Sequence, residues 1–272
     1  MSVPTAAPTE PLTADLRARI VPPAQRQSAQ DDAQILHSGN AGVIVAKVGQ
    51  VRSEYRNEAR FFAREMAKHV NARQAGNATA FVYEETFGTE DRLHWLIHLR
   101  SFDVYYRMVE MGDQDRAYRE SLQQDLVQTD DGAKAWDRLF VDGSLHSSVL
   151  LPREPGAAAE LNSGTAGIVL HRTALIAPGH RSRARDVAAQ QAAAVNEKLA
   201  GEVSALLYEE AFGATDRLHW MVHLRDLTSY RLLLDLEPLH AEGDTDGLFV
   251  AGSMHDVSLT PHHWGLYGTK EA

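Results

Sequence analysis

The sequence predicts an α+β fold built twice within one chain, as two tandem units that each run β-α-β-β-α-β. Three observations carry this: a long internal repeat, an alternation of strand and helix periodicities inside each copy, and a linker-like stretch between the copies. The repeat comes first because it decides the architecture. Residues 83–100 read YEETFGTEDRLHWLIHLR and residues 208–225 read YEEAFGATDRLHWMVHLR, identical at 13 of 18 positions at a shift of 125. At the same shift SGNAG (38–42) matches SGTAG (163–167). Downstream, LFVDGSLHSSVLLP from Leu139 matches LFVAGSMHDVSLTP from Leu248 at a shift of 109, so the second copy is 16 residues shorter.

Each element has a local reason. Residues 42–48 (GVIVAKV) are a β-branched run after a Ser-Gly turn, which predicts a strand. From Ser53 to Arg73, apolar residues recur at Tyr55, Ala59, Phe62, Met66 and Val70, the spacing of a helix that Gly76 ends. Its counterpart covers about 182–199, with Gly201 at its end. Residues 79–87 and 93–100 are strands joined by a Gly-Thr-Glu-Asp hairpin. Ser101 caps a following helix carrying Tyr105, Met108 and Val109, and 139–151 is a last strand. The segment from Pro152 (PREPGAAAEL) has linker composition, and the proline-rich start has little apolar periodicity. The organisation is therefore a flexible or surface-wrapping arm (1–35), a first unit (36–152), a linker (153–160) and a second unit with a C-terminal tail (161–272).

Composition removes several classes of function. The chain of 272 residues has 44% hydrophobic and 24% charged residues, enough for a core. Its formal charge of −10 repels phosphate backbones and anionic lipids, so neither nucleic acid nor membrane is an expected partner. The absence of cysteine removes disulfides, thiolate catalysis and cysteine-ligated metals. No apolar run is long enough for a membrane span, and the first residues do not read as a signal peptide, so a cytoplasmic location is expected. A small hydrophobic or aromatic substrate remains as the expected partner, with a homodimer left open.

In a four-stranded plait of this order both helices cover one face of the sheet and the other stays bare. Side chains alternate along a strand. Leu93, Trp95, Ile97 and Leu99 then suit the helix-covered side, while His94, His98 and Arg100 point to the bare side, as do His219, His223 and Arg225. On the last strands Ser144 and His146, with Ser253 and His255, share that side. Each glutamate pair, Glu84-Glu85 and Glu209-Glu210, puts one carboxylate on each face whichever parity holds, and Glu84 and Glu209 are the candidates for substrate binding. A helix would let His94 and His98 chelate one ion, but on a strand they stand about 13 Å apart, too far for a single metal. Metal or haem binding stays open as an alternative, with no cofactor expected. A histidine kept in two copies can also be a core residue satisfied by a neighbour, and the Trp95/Trp220 pair reads as core.

With the plait order and the duplication in hand, the chain resembles the dimeric α/β-barrel superfamily in a single-chain, tandem form. The resemblance covers most of residues 36–261 and rests on element order, not on a catalytic motif. It implies that the bare faces of the two ferredoxin-like units meet around a shared interior. It also implies the chemistry of small cofactor-independent monooxygenases and cyclases of aromatic polyketide (antibiotic) pathways. In that analogy His98 or His223 removes a proton and Arg100 or Arg225 holds the anion formed; His94 and His219 are expected as further catalytic residues, and Glu84, His146, Ser144, Glu209, His255 and Ser253 as substrate-binding ones. The superfamily also contains duplicated haem proteins similar to chlorite dismutases, which ligate haem from one half only. A non-catalytic binder of a hydrophobic ligand is the third reading.

Overall fold

The computed structural model describes residues 21–122, 138–153, 160–236 and 247–262. The first unit contains β1 (Val43–Gln50), α1 (Arg56–Arg73), β2 (Ala78–Thr86), β3 (Arg92–Leu99), α2 (Phe102–Gln114), α3 (Arg116–Leu122) and β4 (His146–Pro152). The second contains β5 (Ile168–Leu175), α4 (Arg181–Lys198), β6 (Val203–Ala211), β7 (Arg217–Leu224), α5 (Leu227–Leu234) and β8 (His255–Pro261). The last strand is shorter than 139–151. A turn with Gly143 at φ 73° interrupts it, leaving Phe140 as an isolated bridge to Val51. The second copy repeats this with Gly252 at φ 72° and a bridge from Phe249 to Ile176.

Within each unit the strands lie in the order β4-β1-β3-β2 and β8-β5-β7-β6, the plait expected from the element order. Two antiparallel seams, β2 with β8 and β4 with β6, join the units into a closed eight-stranded barrel. Closure pairs the strand edges that each unit alone would expose. The bare faces therefore become the wall of one lumen.

Outside the barrel, α1 buries Ala59, Phe62, Ala63, Met66, Ala67 and Val70 against Val43, Val45, Val82 and Trp95. The matching helix α4 uses Ala184, Ala188, Ala192 and Val195. Trp95 and Trp220 lie in this outer layer, their rings 5.7 Å from Phe140 and 5.9 Å from Phe249. Each unit turns sharply at its entry to β1 or β5. A Cβ on Gly42 would stand 2.3 Å from the Arg100 carbonyl oxygen, and one on Gly167 would stand 2.5 Å from that of Arg225, so only glycine fits there. Of the N-terminal arm, residues 21–35 wrap onto β2. Gln27 is buried and its amide exchanges two 2.8 Å hydrogen bonds with the Val82 backbone.

Candidate active site

The lumen is lined by the alternate residues of every strand, and most of it is filled. Ile44, Phe81, Tyr83, Leu96, Leu150, Val169, Leu206, Tyr208, Met221 and Leu259 form one buried cluster inside the barrel. An eight-stranded barrel is just wide enough for side chains to fill its interior. The shared chamber expected from the sequence is thus a packed core with two polar ends.

One end is closed by the SGNAG and SGTAG loops. Ser38 and Ser163, equivalent positions of the two copies, each donate a backbone N–H to the other's Oγ at 2.9 Å. The hydroxyls cross to histidines of the opposite relation: Ser163 Oγ is 2.8 Å from His98 Nε2, and Ser38 Oγ is 2.9 Å from His223 Nε2. His98 Nδ1 meets the Thr79 carbonyl at 3.2 Å, and His223 Nδ1 meets Ser204 Oγ at 3.3 Å. The Tyr83 hydroxyl donates to the Ser163 carbonyl, and the Tyr208 hydroxyl donates to that of Ser38 at 2.8 Å. All of these side chains are enclosed, His98 and His223 completely. Burial, with the charge of His37 against it, pushes both imidazoles down to about 3, so both are neutral. A Ser–His contact suggests a nucleophile and its base, but no substrate reaches an enclosed hydroxyl. This end is a clasp between the two halves.

The opposite end is open. His94, Val48 and His146 lie in one cross-strand row, and His219, Thr173 and His255 lie in the equivalent row. His146 and His255 are exposed at the lip, His94 and His219 are buried below it, and solvent reaches Ala46, Val48, His171 and Thr173. Behind the imidazoles stand Glu85 and Glu210. His219 Nε2 is 3.2 Å from Glu210 Oε2, which also accepts from Arg217 Nη1 at 3.1 Å. On the first half His94 Nε2 stands 3.5 Å from Glu85 Oε2, with Arg92 Nη1 at 3.3 Å. Glu85 Oε1 also accepts the Thr89 N–H at 2.7 Å, which ties the hairpin loop to the site. Burial, joined by the charge of Arg217, pushes His219 down to about 4, and burial lowers His94 as well. His171 joins the group through a 2.9 Å contact between its Nε2 and His219 Nδ1, and His94 is near enough for a charge on it to oppose one on His171. Equivalent residues thus meet at the closed end, and histidines of both halves meet at the open end. The mouth is one site made by two halves.

Several expected site residues lie elsewhere. Arg100 and Arg225 are exposed outside the lumen, because β3 and β7 end one residue earlier. Their guanidinium groups donate to the carbonyls of Gly76 and Gly201. Glu84 and Glu209 are on the helix-covered side, because Tyr83 and Tyr208 beside them face the lumen, so neither is placed to bind substrate there. Glu84 takes a two-pronged contact from Arg60 at 3.0 and 2.8 Å and a 2.6 Å bond from His262 Nδ1. Burial pushes that carboxyl up, but the His262 and Arg60 bonds and charges outweigh it and hold it at about 2. Glu209 pairs with Arg185 and Arg153 in the same way. Ser144 and Ser253 hold the turns before β4 and β8, bonded to the Gln50 and Leu175 backbones. His94, His98, His219 and His223 do face the interior, although at opposite ends of it. The residues that the sequence reading missed are Ser38, Ser163, Glu85, Glu210 and His171. For the serines and glutamates the signal was their recurrence at the shift of 125. His171 stands where the first copy has Ala46, so a search for recurrence passes over it.

Haem does not fit His98 or His223. An axial ligand needs a free ring nitrogen, and both nitrogens of His98 and both of His223 are engaged. Among the described residues no three His, Asp or Glu side chains converge as a metal-holding group. No helix among them is long and apolar enough to cross a membrane.

Comparison with known proteins fits this description. A family model for a family of unknown function (DUF6039) matches residues 13–160 and 153–243, and the chain belongs to that family. No curated protein matches the sequence. Among solved structures, a candidate monooxygenase from Fusobacterium nucleatum subsp. nucleatum is similar with a TM-score of 0.57 at 7% identity, over 82% of this chain and 93% of the other. A candidate monooxygenase from Lactobacillus acidophilus gives 0.52 at 9% identity, over 81% and 94%. An anthrone oxidase-like protein gives 0.51 at 12% identity, over 85% and 93%. At such identities the likeness establishes the fold: a single-chain dimeric α/β barrel.

Proposed function

We propose that this member of a family without assigned function is an enzyme that moves protons on a small aromatic molecule bound at the open mouth of the barrel. The observation that carries the reading is the gathering there of His94 from one half and His171 and His219 from the other, each lowered by burial, with Glu85 and Glu210 behind His94 and His219. A neutral imidazole accepts a proton from a weakly acidic phenol or activated C–H, and the chain returns it later. The packed lumen restricts the substrate to the mouth, and the clasp end takes no part in the chemistry. The names of the similar structures favour oxygenation. In that reaction the base removes a proton from an activated CH2, the carbanion adds dioxygen, and the hydroperoxide loses water to leave a carbonyl. The protein supplies proton transfer and placement, and dioxygen is the oxidant.

The test is dioxygen consumption by the purified protein with a panel of anthrones and hydroxylated polycyclic phenols, without added cofactor. Consumption with matching carbonyl product supports the reading. A panel that gives no uptake above the protein-free rate overturns it.

A further inference from the structure

The two halves of the mouth are not equal, and the difference has a direction. In the second half Glu210, His219 and His171 form a continuous hydrogen-bonded chain, at 3.2 Å and then 2.9 Å. The rings of His171 and His219 are 27° apart in plane with centroids 5.2 Å apart, and these are the values for two rings whose nitrogens point straight at each other. That is an end-to-end N–H···N bond rather than a stack. In the first half the chain stops short. His94 Nε2 is 3.5 Å from Glu85, and Ala46 stands where His171 would continue it.

We propose that His171 is the proton-accepting catalytic residue of this single site, with His219 and Glu210 as positioning residues that set its tautomer. This deepens the proton-transfer function argued above and rests on it. The tautomer follows from donors and acceptors alone. A Glu210 carboxylate only accepts, and its Oε2 already accepts from Arg217, so His219 Nε2 must carry hydrogen. Neutral His219 is then bare at Nδ1, which obliges His171 to donate from Nε2. Neutral His171 is left with a bare Nδ1, its remaining lone pair, on a residue that is half-buried in the wall of the mouth. A proton taken at that Nδ1 moves charge inward. The Nε2 hydrogen of His171 passes to His219 Nδ1, and that of His219 Nε2 passes to Glu210, so each N–H broken is matched by one bond formed, both imidazoles end neutral and the proton rests on Glu210 as a carboxylic acid. The charged and titratable groups facing His171 are His219 and Glu210 with Arg217, His94 from the first half, and Asp256, which is paired with Arg172.

The experiment reads the tautomer directly in the full chain, by long-range proton–nitrogen NMR of the imidazoles at pH 7. The wild type is expected to show His171 with hydrogen on Nε2 only. Glu210→Gln keeps the shape but can donate as well as accept, so both tautomers of His171 are expected in that variant. Hydrogen on Nδ1 of wild-type His171, or a tautomer unchanged in E210Q, overturns the proposal. In dioxygen uptake, His171→Ala is expected to lower kcat by about 10²-fold or more, and wild-type turnover in H171A also overturns it. A wild type that turns over nothing, with the expected tautomer present, refutes the oxygenation and leaves the relay standing.

Discussion

Acid should unfold this protein through the histidines that it keeps neutral. His98 and His223 are held at about 3 and His219 at about 4, against an ordinary value of 6.5. Below pH 6.5 the unfolded chain binds protons that the folded chain refuses, so stability is complete above 6.5 and falls as pH drops. Each such imidazole costs about 1.4 kcal/mol per pH unit, so three of them remove about 6 kcal/mol between pH 7 and pH 5. That is a large share of the roughly 5–15 kcal/mol that holds a domain of ordinary stability together. His171, held at about 3 by burial and by the charge of His219, adds a further share in the same direction. Glu84, held at about 2, adds a second loss below its ordinary 4.5. The assay is urea unfolding followed by tryptophan fluorescence at half-unit steps from pH 8 to pH 4.5. The midpoint should be flat above pH 7 and fall steeply below 6.5, and His98→Gln, which keeps a side-chain nitrogen near Ser163, should flatten the slope by about a quarter. A midpoint that does not move between pH 7 and pH 5 would refute the assignment of buried neutral imidazoles.

Other consequences are as direct. Ser38→Ala removes the acceptor of a buried N–H and the partner of His223, and should cost about 1–3 kcal/mol in urea unfolding. Ser163→Ala should cost as much, and the double variant less than the sum, because the two hydroxyls serve one network. Arg60→Met leaves Glu84 with fewer partners in the outer layer and should cost about 3–5 kcal/mol. Arg100→Ala removes a bond to an exposed loop carbonyl, Arg225→Ala removes one such bond and a surface pair with Glu202 at 3.2 Å, and each should change stability by less than about 1 kcal/mol. Neither should change turnover, and a lost activity in either would return these guanidinium groups to the site.

Much of the fold was legible because repetition and alternation are properties of the chain itself. The 13 identities between residues 83–100 and 208–225 announced two equal units. The period-two pattern of LHWLIHLR put Trp95 outside, and His94 and His98 inside, where the structure has them. What the sequence did not show was where each strand stops. Arg100 continues the parity of His98 on paper, yet the chain turns at Gly42 and Arg100 falls past the end of the ladder. Nor did it show which carboxylate of Glu84-Glu85 faces inward, since two adjacent glutamates satisfy either parity. Serines 38 and 163 read as turn residues, because their partners lie in the other half of the molecule. The filling of the lumen depends on the barrel radius, which emerges only on closure.

The central claim is that the closed end holds the barrel together and the open end does its chemistry. Dioxygen uptake by two double variants separates the roles. His98→Gln with His223→Gln should keep turnover within a few-fold of wild type while lowering the urea midpoint, and His94→Gln with His219→Gln should remain folded and lose turnover. Loss of turnover in the first pair, with the second as active as wild type, would contradict the account.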